Sequence, residues 1–201
     1  MSTIFLTSTG ISNEHIRQEF IHVIGINRDI PVAIITTASY EKSENKYAQI
    51  ALKQFRELGF VNVDFVDFEE NPNCSLQKYG VIYVCGGNTF YLLYHLKKSG
   101  ADKMLFNLLN NTDVIYIGVS AGSIILGPTI EIASVVDPDP NEVGLIDMKG
   151  LGVVTFEVHP HYESEHEKDI LEYEKRNSRK VIRLSNSQAF VVSSLGEKMV
   201  G

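Results

Sequence analysis

A chain of 201 residues fits one domain or two tightly packed lobes, and 44% hydrophobic with 21% charged residues is the make-up of an ordinary globular core, not of a disordered or fibrous chain. Eighteen Lys and Arg against 25 Asp and Glu leave a formal charge of −7, which repels nucleic-acid phosphates and anionic lipid headgroups. No apolar run approaches the roughly 20 residues that cross a bilayer. The opening Met1-Ser2-Thr3-Ile4-Phe5-Leu6 lacks a basic leader with an apolar h-region and cleavage site, so a cytoplasmic protein with no nucleic-acid or membrane partner is expected.

In chain order, short β-branched runs alternate with stretches of helical spacing, the pattern of βαβ units around a parallel sheet. Strands are predicted at Ile4 to Thr7, Val32 to Thr36, Val61 to Val66, Val81 to Cys85 and Val114 to Gly118, each nearly continuous in apolar character as strands covered on both faces should be. Helices are predicted at Glu14 to Ile24, Asn45 to Leu58 and Thr89 to Lys98; in the second, Tyr47, Ile50, Ala51, Phe55 and Leu58 form the stripe expected to pack on the sheet. Gly59 stops that helix, and Asn71-Pro72-Asn73 marks a loop before the fourth strand.

Beyond Gly127-Pro128 the regularity weakens. Asp137-Pro138-Asp139-Pro140-Asn141 reads as a loop because each proline pushes its predecessor out of helical conformation. The apolar run Val153 to Phe156 reads as a strand, Glu163 to Arg176 as a helix, and Val181 to Leu184 and Ala189 to Ser193 as the last strands. With no repeat, low-complexity tract or linker, residues 1–201 are expected to form a single α/β domain. Cys74 and Cys85 have neither a C-x-x-C spacing nor a secretory context and read as structural thiols.

In open α/β sheets ligands bind beyond the carboxyl ends of the strands, and two strand exits here are unusual. The fifth predicted strand runs into Gly118-Val119-Ser120-Ala121-Gly122, a G-x-S-x-G pattern. Reversal of a strand into a helix within about one residue strains the serine backbone, leaves room only for Gly or Ala beside it, and points the first free helical N–H groups at the space around the hydroxyl. A Gly-rich turn with an ordinary N-cap serine explains the same letters about equally well, until the position after a buried strand is weighed. The fourth strand ends in Gly86-Gly87-Asn88-Thr89-Phe90, where a glycine amide can turn outward: Gly87 N–H is a candidate second oxyanion donor, Asn88 a candidate substrate contact, and either Asn88 or Thr89 a helix cap.

An activated serine needs a base, and of six histidines His159 and His161 sit at a predicted strand exit, in His159-Pro160-His161-Tyr162. His15, His22 and His95 fall in helices and read as surface or packing residues. His159, His161, Glu163, Glu165 and His166 could supply metal ligands, yet the short H-x-H spacing has no accompanying Asp-rich motif, so no metal and no other cofactor is expected.

Together, Gly86-Gly87-Asn88-Thr89-Phe90, Gly118-Val119-Ser120-Ala121-Gly122 and Pro160-His161-Tyr162 resemble, in order and spacing over most of the chain, the dipeptidase E and cyanophycinase family of serine peptidases. That resemblance implies a flavodoxin-like three-layer α/β/α fold with a mainly parallel sheet, of the class I glutamine amidotransferase type. It implies Ser120 as nucleophile, His161 as base, Gly87 and Ala121 as oxyanion-hole amides, and a small peptide as substrate. The third triad member is open: Asp137 is preferred, with Glu131 and Asn186 as alternatives, Asn186 standing where the family often has Glu. The arginine that binds an aspartyl side chain in the dipeptidase branch has His166 as its approximate counterpart, with Lys168 nearby, so aspartyl preference is not implied. A catalytically weak binding or regulatory protein and an esterase share the same residues. For oligomeric state the expectation is a homodimer, the commonest soluble assembly.

Overall fold

The computed structural model describes residues 2–201. Strands β1 (Thr3–Thr7), β2 (Val32–Ile35), β3 (Val63–Val66), β4 (Val81–Val84) and β5 (Ile115–Val119) pair in parallel in the order β3-β2-β4-β5-β1. Two antiparallel strands, β8 (Ala189–Ser193) and β9 (Gly196–Val200), extend the sheet beyond β1 to seven strands. A short parallel pair, β6 (Glu157–His159) with β7 (Val181–Arg183), stands apart.

The pleat divides the strand side chains between two apolar layers. Phe5, Ile34, Tyr83 and Ile117 pack with Ile16 and Phe20 of α1 (Glu14–Ile24) and Phe55 of α2 (Lys46–Glu57), where Phe5, Phe20, Phe55 and Phe60 meet largely edge to face. Leu6, Ile35, Ile82 and Tyr116 pack on the opposite face with α3 (Thr89–Ser99), α4 (Ala101–Asn111), the short α5 (Ala121–Ile124) and α6 (Glu167–Asn177). The result is the three-layer α/β/α arrangement with a mainly parallel sheet that the pattern implies.

Three local expectations need correction, and two elements add to those expected. The buried face of α2 is Ala48, Ala51, Gln54 and Phe55, while Tyr47 and Ile50 are 64% and 46% exposed. The two stripes share Ala51 and Phe55 and are turned only partly around the helix from one another, and the face with Ala48 and Ala51 lets the helix approach the sheet most closely. Residues 153–156 are bends, and the strand begins at Glu157, so His159 lies within β6. Helix α4, with Ala101, Leu105, Leu108 and Leu109 buried at helical spacing, and edge strand β9 were not anticipated; β9 carries too few apolar residues to signal itself. Val61 and Asn62 precede β3 rather than belonging to it.

Candidate active site

The carboxyl ends of β1, β4 and β5 converge on Ser120. Its backbone has φ 48° and ψ −108°, a sparsely populated region for a non-glycine residue, and three hydrogen bonds fix it there. Ser120 N donates to Thr7 O at 2.9 Å, and Ser120 O accepts from Ser123 N and Ile124 N at 2.8 and 3.1 Å. The flanking glycines are sterically required. A Cβ on Gly118 would lie 2.6 Å from Gly122 O, and one on Gly122 would lie 2.5 Å from Val84 O. Beneath the turn, fully buried Ser123 accepts from Thr7 N at 2.8 Å and lies 2.8 Å from both Thr7 O and Gly118 O, while Thr7 Oγ1 donates to Gly118 O at 2.7 Å. Neither residue belongs to a recognisable motif in the sequence; only a serine one turn after the elbow could have drawn attention to Ser123.

Among the described residues, the Gly87 and Ala121 N–H groups have no hydrogen-bond acceptor. Gly87 has φ 146°, and a side chain there would collide with Ala38 O. Ala121 is the first residue of α5, where helical N–H groups lack an internal partner.

His161 follows β6 through Pro160 and also has a positive φ, 54°. Ser8, just beyond β1, anchors it: Ser8 Oγ accepts from His161 N at 2.9 Å and donates to Leu184 O at 2.9 Å. His161 Nδ1 lies 2.6 Å from Asn186 Oδ1. An amide oxygen only accepts, so Nδ1 carries the proton and Nε2 is left with its lone pair. The Asn186 backbone is held by Thr9 Oγ1, which donates to its carbonyl at 2.8 Å.

Ser120 and His161 line one cavity of about 270 Å³, together with Thr89, Asp137, Asp139, His159 and His166 and an apolar wall that includes Ile124, Ile132 and Val136. Asp137 therefore shares the cavity, but the bond to the His161 ring goes to Asn186. Glu131 is turned away into an ion pair with Arg179 at 3.3 Å. Asn88 is committed to the fold: its Oδ1 accepts from Tyr91 N at 2.8 Å, capping α3, and its Nδ2 donates to Pro140 O at 2.7 Å. His166 reaches the cavity, with Nδ1 3.1 Å from His159 Nε2. Burial, followed by the neighbouring imidazoles, lowers the His159 pKa to about 4, so that ring is neutral near pH 7. No group of three or more His, Cys, Asp or Glu among the described residues is arranged to hold a metal ion. Cys85 is buried, which pushes its thiol up to about 12, and Cys74 is free and half-buried.

Comparison with known proteins agrees with this architecture. The family model for Peptidase family S51 matches residues 4–198. The chain belongs to peptidase family S51. An uncharacterized peptidase of Listeria monocytogenes is 32% identical over 168 residues, spanning 80% of this chain and 81% of that protein. Peptidase E of a Nostoc strain is 29% identical over 160 residues, covering 77% of this chain and 62% of its own. Among solved structures, a candidate peptidase E protein from Listeria monocytogenes superposes with a TM-score of 0.77 at 28% identity, covering 99% and 98% of the two chains. A peptidase from an acI-B1 actinobacterium shares the fold, with a TM-score of 0.62 at 18% identity over 100% and 88% of the chains. This S51 member is a serine-type peptidase, and no helix among its described residues is long and apolar enough to cross a membrane.

Proposed function

We propose that the protein hydrolyses small peptides of dipeptide size through an acyl-enzyme on Ser120, with residues 1–201 acting as one peptidase domain. Ser120 Oγ attacks the scissile carbonyl carbon while His161 Nε2 takes the hydroxyl proton. The oxyanion is received by the N–H groups of Gly87 and Ala121, which have no competing acceptor among the described residues. Collapse breaks the C–N bond, and the leaving amine takes the proton from His161. Water then attacks the acyl ester, gives a proton to His161, and the proton returns to Ser120 as the product acid departs.

One observation carries this reading: the imidazole sharing the cavity with the strained serine has its Nδ1 bonded to Asn186 Oδ1 at 2.6 Å, which fixes the base-competent tautomer. In this reading Asn186, one of the three candidates for the third member, orients the base in place of the preferred Asp137. An asparagine orients the ring without adding a negative charge, as in Cys-His-Asn proteases. The same substitution favours a second reading, a scaffold with weak turnover that serves in binding. The chemistry calls for no metal or organic cofactor. We place the protein in the cytosol, acting on small peptides and as a homodimer, with no nucleic-acid or membrane partner.

Hydrolysis of a dipeptide library by the wild type and by Ser120→Ala tests the proposal. Turnover by the wild type that disappears in the folded variant supports it, and turnover that survives the substitution refutes it.

A further inference from the structure

Five polar side chains of the cavity take no part in the proposed catalysis: the imidazoles of His159 and His166, which pair with each other, the carboxylates of Asp137 and Asp139, and the hydroxyl of Thr89. The hydroxyl is the most telling. Thr89 is 1% exposed and lines the cavity that holds Ser120, and its Oγ1 has no hydrogen-bond partner among the described residues. A buried hydroxyl left unpaired costs stability, so a fold that keeps one beside its reacting centre has a group reserved for a ligand. The Thr89 amide is already used, donating to Asp139 Oδ2 at 2.8 Å. That bond pins the Asp139 carboxylate at the start of α3 beside the Thr89 side chain.

Asp137 completes the group. It has φ 44°, a conformation that Asp and Asn tolerate better than most residues, and it makes no hydrogen bond or ion pair to another described residue. Against these acceptors, neither Lys nor Arg lines the cavity. Arg183, whose charge is felt by His159, is held by Glu167 and Glu174 at 3.1 and 2.8 Å. Ile124, Ile132, Ala133 and Val136 form an apolar part of the wall, and Pro160 with the imidazoles of His159, His161 and His166 completes it.

Two carboxylates and an unpaired hydroxyl close to a nucleophile suit a cation next to the scissile carbonyl. In a peptide, that cation is the α-ammonium of an N-terminal residue. Resting on the serine-peptidase reading, we propose that the cavity selects peptides with a free, protonated N-terminus and an uncharged, small or branched apolar first side chain, the ammonium being held by Asp137 and Asp139 with Thr89 Oγ1 accepting one of its protons. An aspartyl first residue would bring a third carboxylate into a space with two and is disfavoured. A cavity of about 270 Å³ lies at the small end of ligand sites, which fits a dipeptide better than a longer chain.

The test compares Ala-Leu, Val-Leu, Asp-Leu and N-acetyl-Ala-Leu in two formats: kcat/KM with the wild type, and calorimetric binding to Ser120→Ala. Expected are at least a tenfold preference for Ala-Leu and Val-Leu over Asp-Leu, and a loss on acetylation of about a hundredfold. Asp137→Asn, which suits the same backbone conformation, should raise KM for Ala-Leu about tenfold and pull the free-to-acetylated ratio toward one. Thr89→Val should weaken Ala-Leu binding about tenfold while keeping or raising the melting temperature, an outcome a purely structural hydroxyl would not produce. Equal binding of the acetylated peptide, stronger binding of Asp-Leu, or no binding of any dipeptide to Ser120→Ala would overturn the inference. Selective binding without wild-type turnover would sink the peptidase mechanism and leave the ammonium site standing.

Discussion

If Asn186 orients His161, changing its charge should move the rate in a direction fixed by the geometry. The Asn186 side chain touches the ring at 2.6 Å, while its backbone is held separately by Thr9, so the side chain can be exchanged without releasing the loop. In Asn186→Asp a full negative charge stands roughly 4 Å from the centre of the imidazolium that forms in the transition state, worth about 1 kcal/mol in bulk water and about 4 kcal/mol at an effective dielectric near 20. Both residues are exposed, so the lower end applies. About 1 to 1.4 kcal/mol of added transition-state stabilisation is a five- to tenfold rise in kcat/KM near pH 7.5. Asn186→Ala removes a neutral hydrogen bond worth about 1 kcal/mol and frees the tautomer, lowering kcat/KM at least fivefold. Steady-state kinetics on one dipeptide, with circular dichroism to confirm folding, gives the order Asp above Asn above Ala at position 186. A folded Asn186→Ala enzyme with the wild-type rate would refute the orienting role.

Three further outcomes follow from the packing around the site. His159 is held neutral by burial with a pKa of about 4, against about 6.5 when unfolded, so the unfolded chain binds the extra proton first. Its contribution is complete above about pH 6.5 and is lost as pH falls toward 4, the loss amounting to about 2 kcal/mol at pH 5, and urea midpoints at pH 7 and pH 5 should converge in His159→Gln relative to the wild type. Ser123→Ala strands the buried Thr7 N–H, which donates to Ser123 Oγ at 2.8 Å, and should cost about 1–3 kcal/mol in urea unfolding together with activity. Gly122→Ala forces a Cβ to within 2.5 Å of Val84 O; a loss of about 1–3 kcal/mol and of most activity is expected, and a fully active, stable Gly122→Ala protein would show that the turn is not tightly packed.

The elbow is legible in the sequence because its cause is short-range: Gly118 and Gly122 are glycine where any Cβ would strike backbone oxygen of the same turn or of the adjoining strand. His161 is legible through its place between Pro160 and Tyr162. Asn186 could only be one of three options, since its partner lies 25 residues away and the bond exists because β1 delivers Ser8 and Thr9 to both loops. Asp137 attracts attention by following the elbow in sequence, yet the loop carries it to the cavity without bringing it to the imidazole. Buried Glu157, at 0% exposure, is invisible to pattern reading because the charge inside a strand is compensated from far along the chain, by Thr129 at 2.6 Å, Tyr173 at 2.6 Å and Arg179 at 3.0 Å. The face of α2 fails for a different reason: apolar residues at helical spacing define two neighbouring stripes, and the choice between them depends on how closely the helix can approach the sheet.

The claim that Ser120 is a nucleophile activated by His161 is tested most directly by a fluorophosphonate probe followed by peptide mapping. A single covalent adduct on Ser120 is expected, absent in Ser120→Ala and formed at least a hundredfold more slowly in His161→Ala. A folded wild-type protein that takes up no probe near neutral pH, or that carries it on another residue, would contradict the claim.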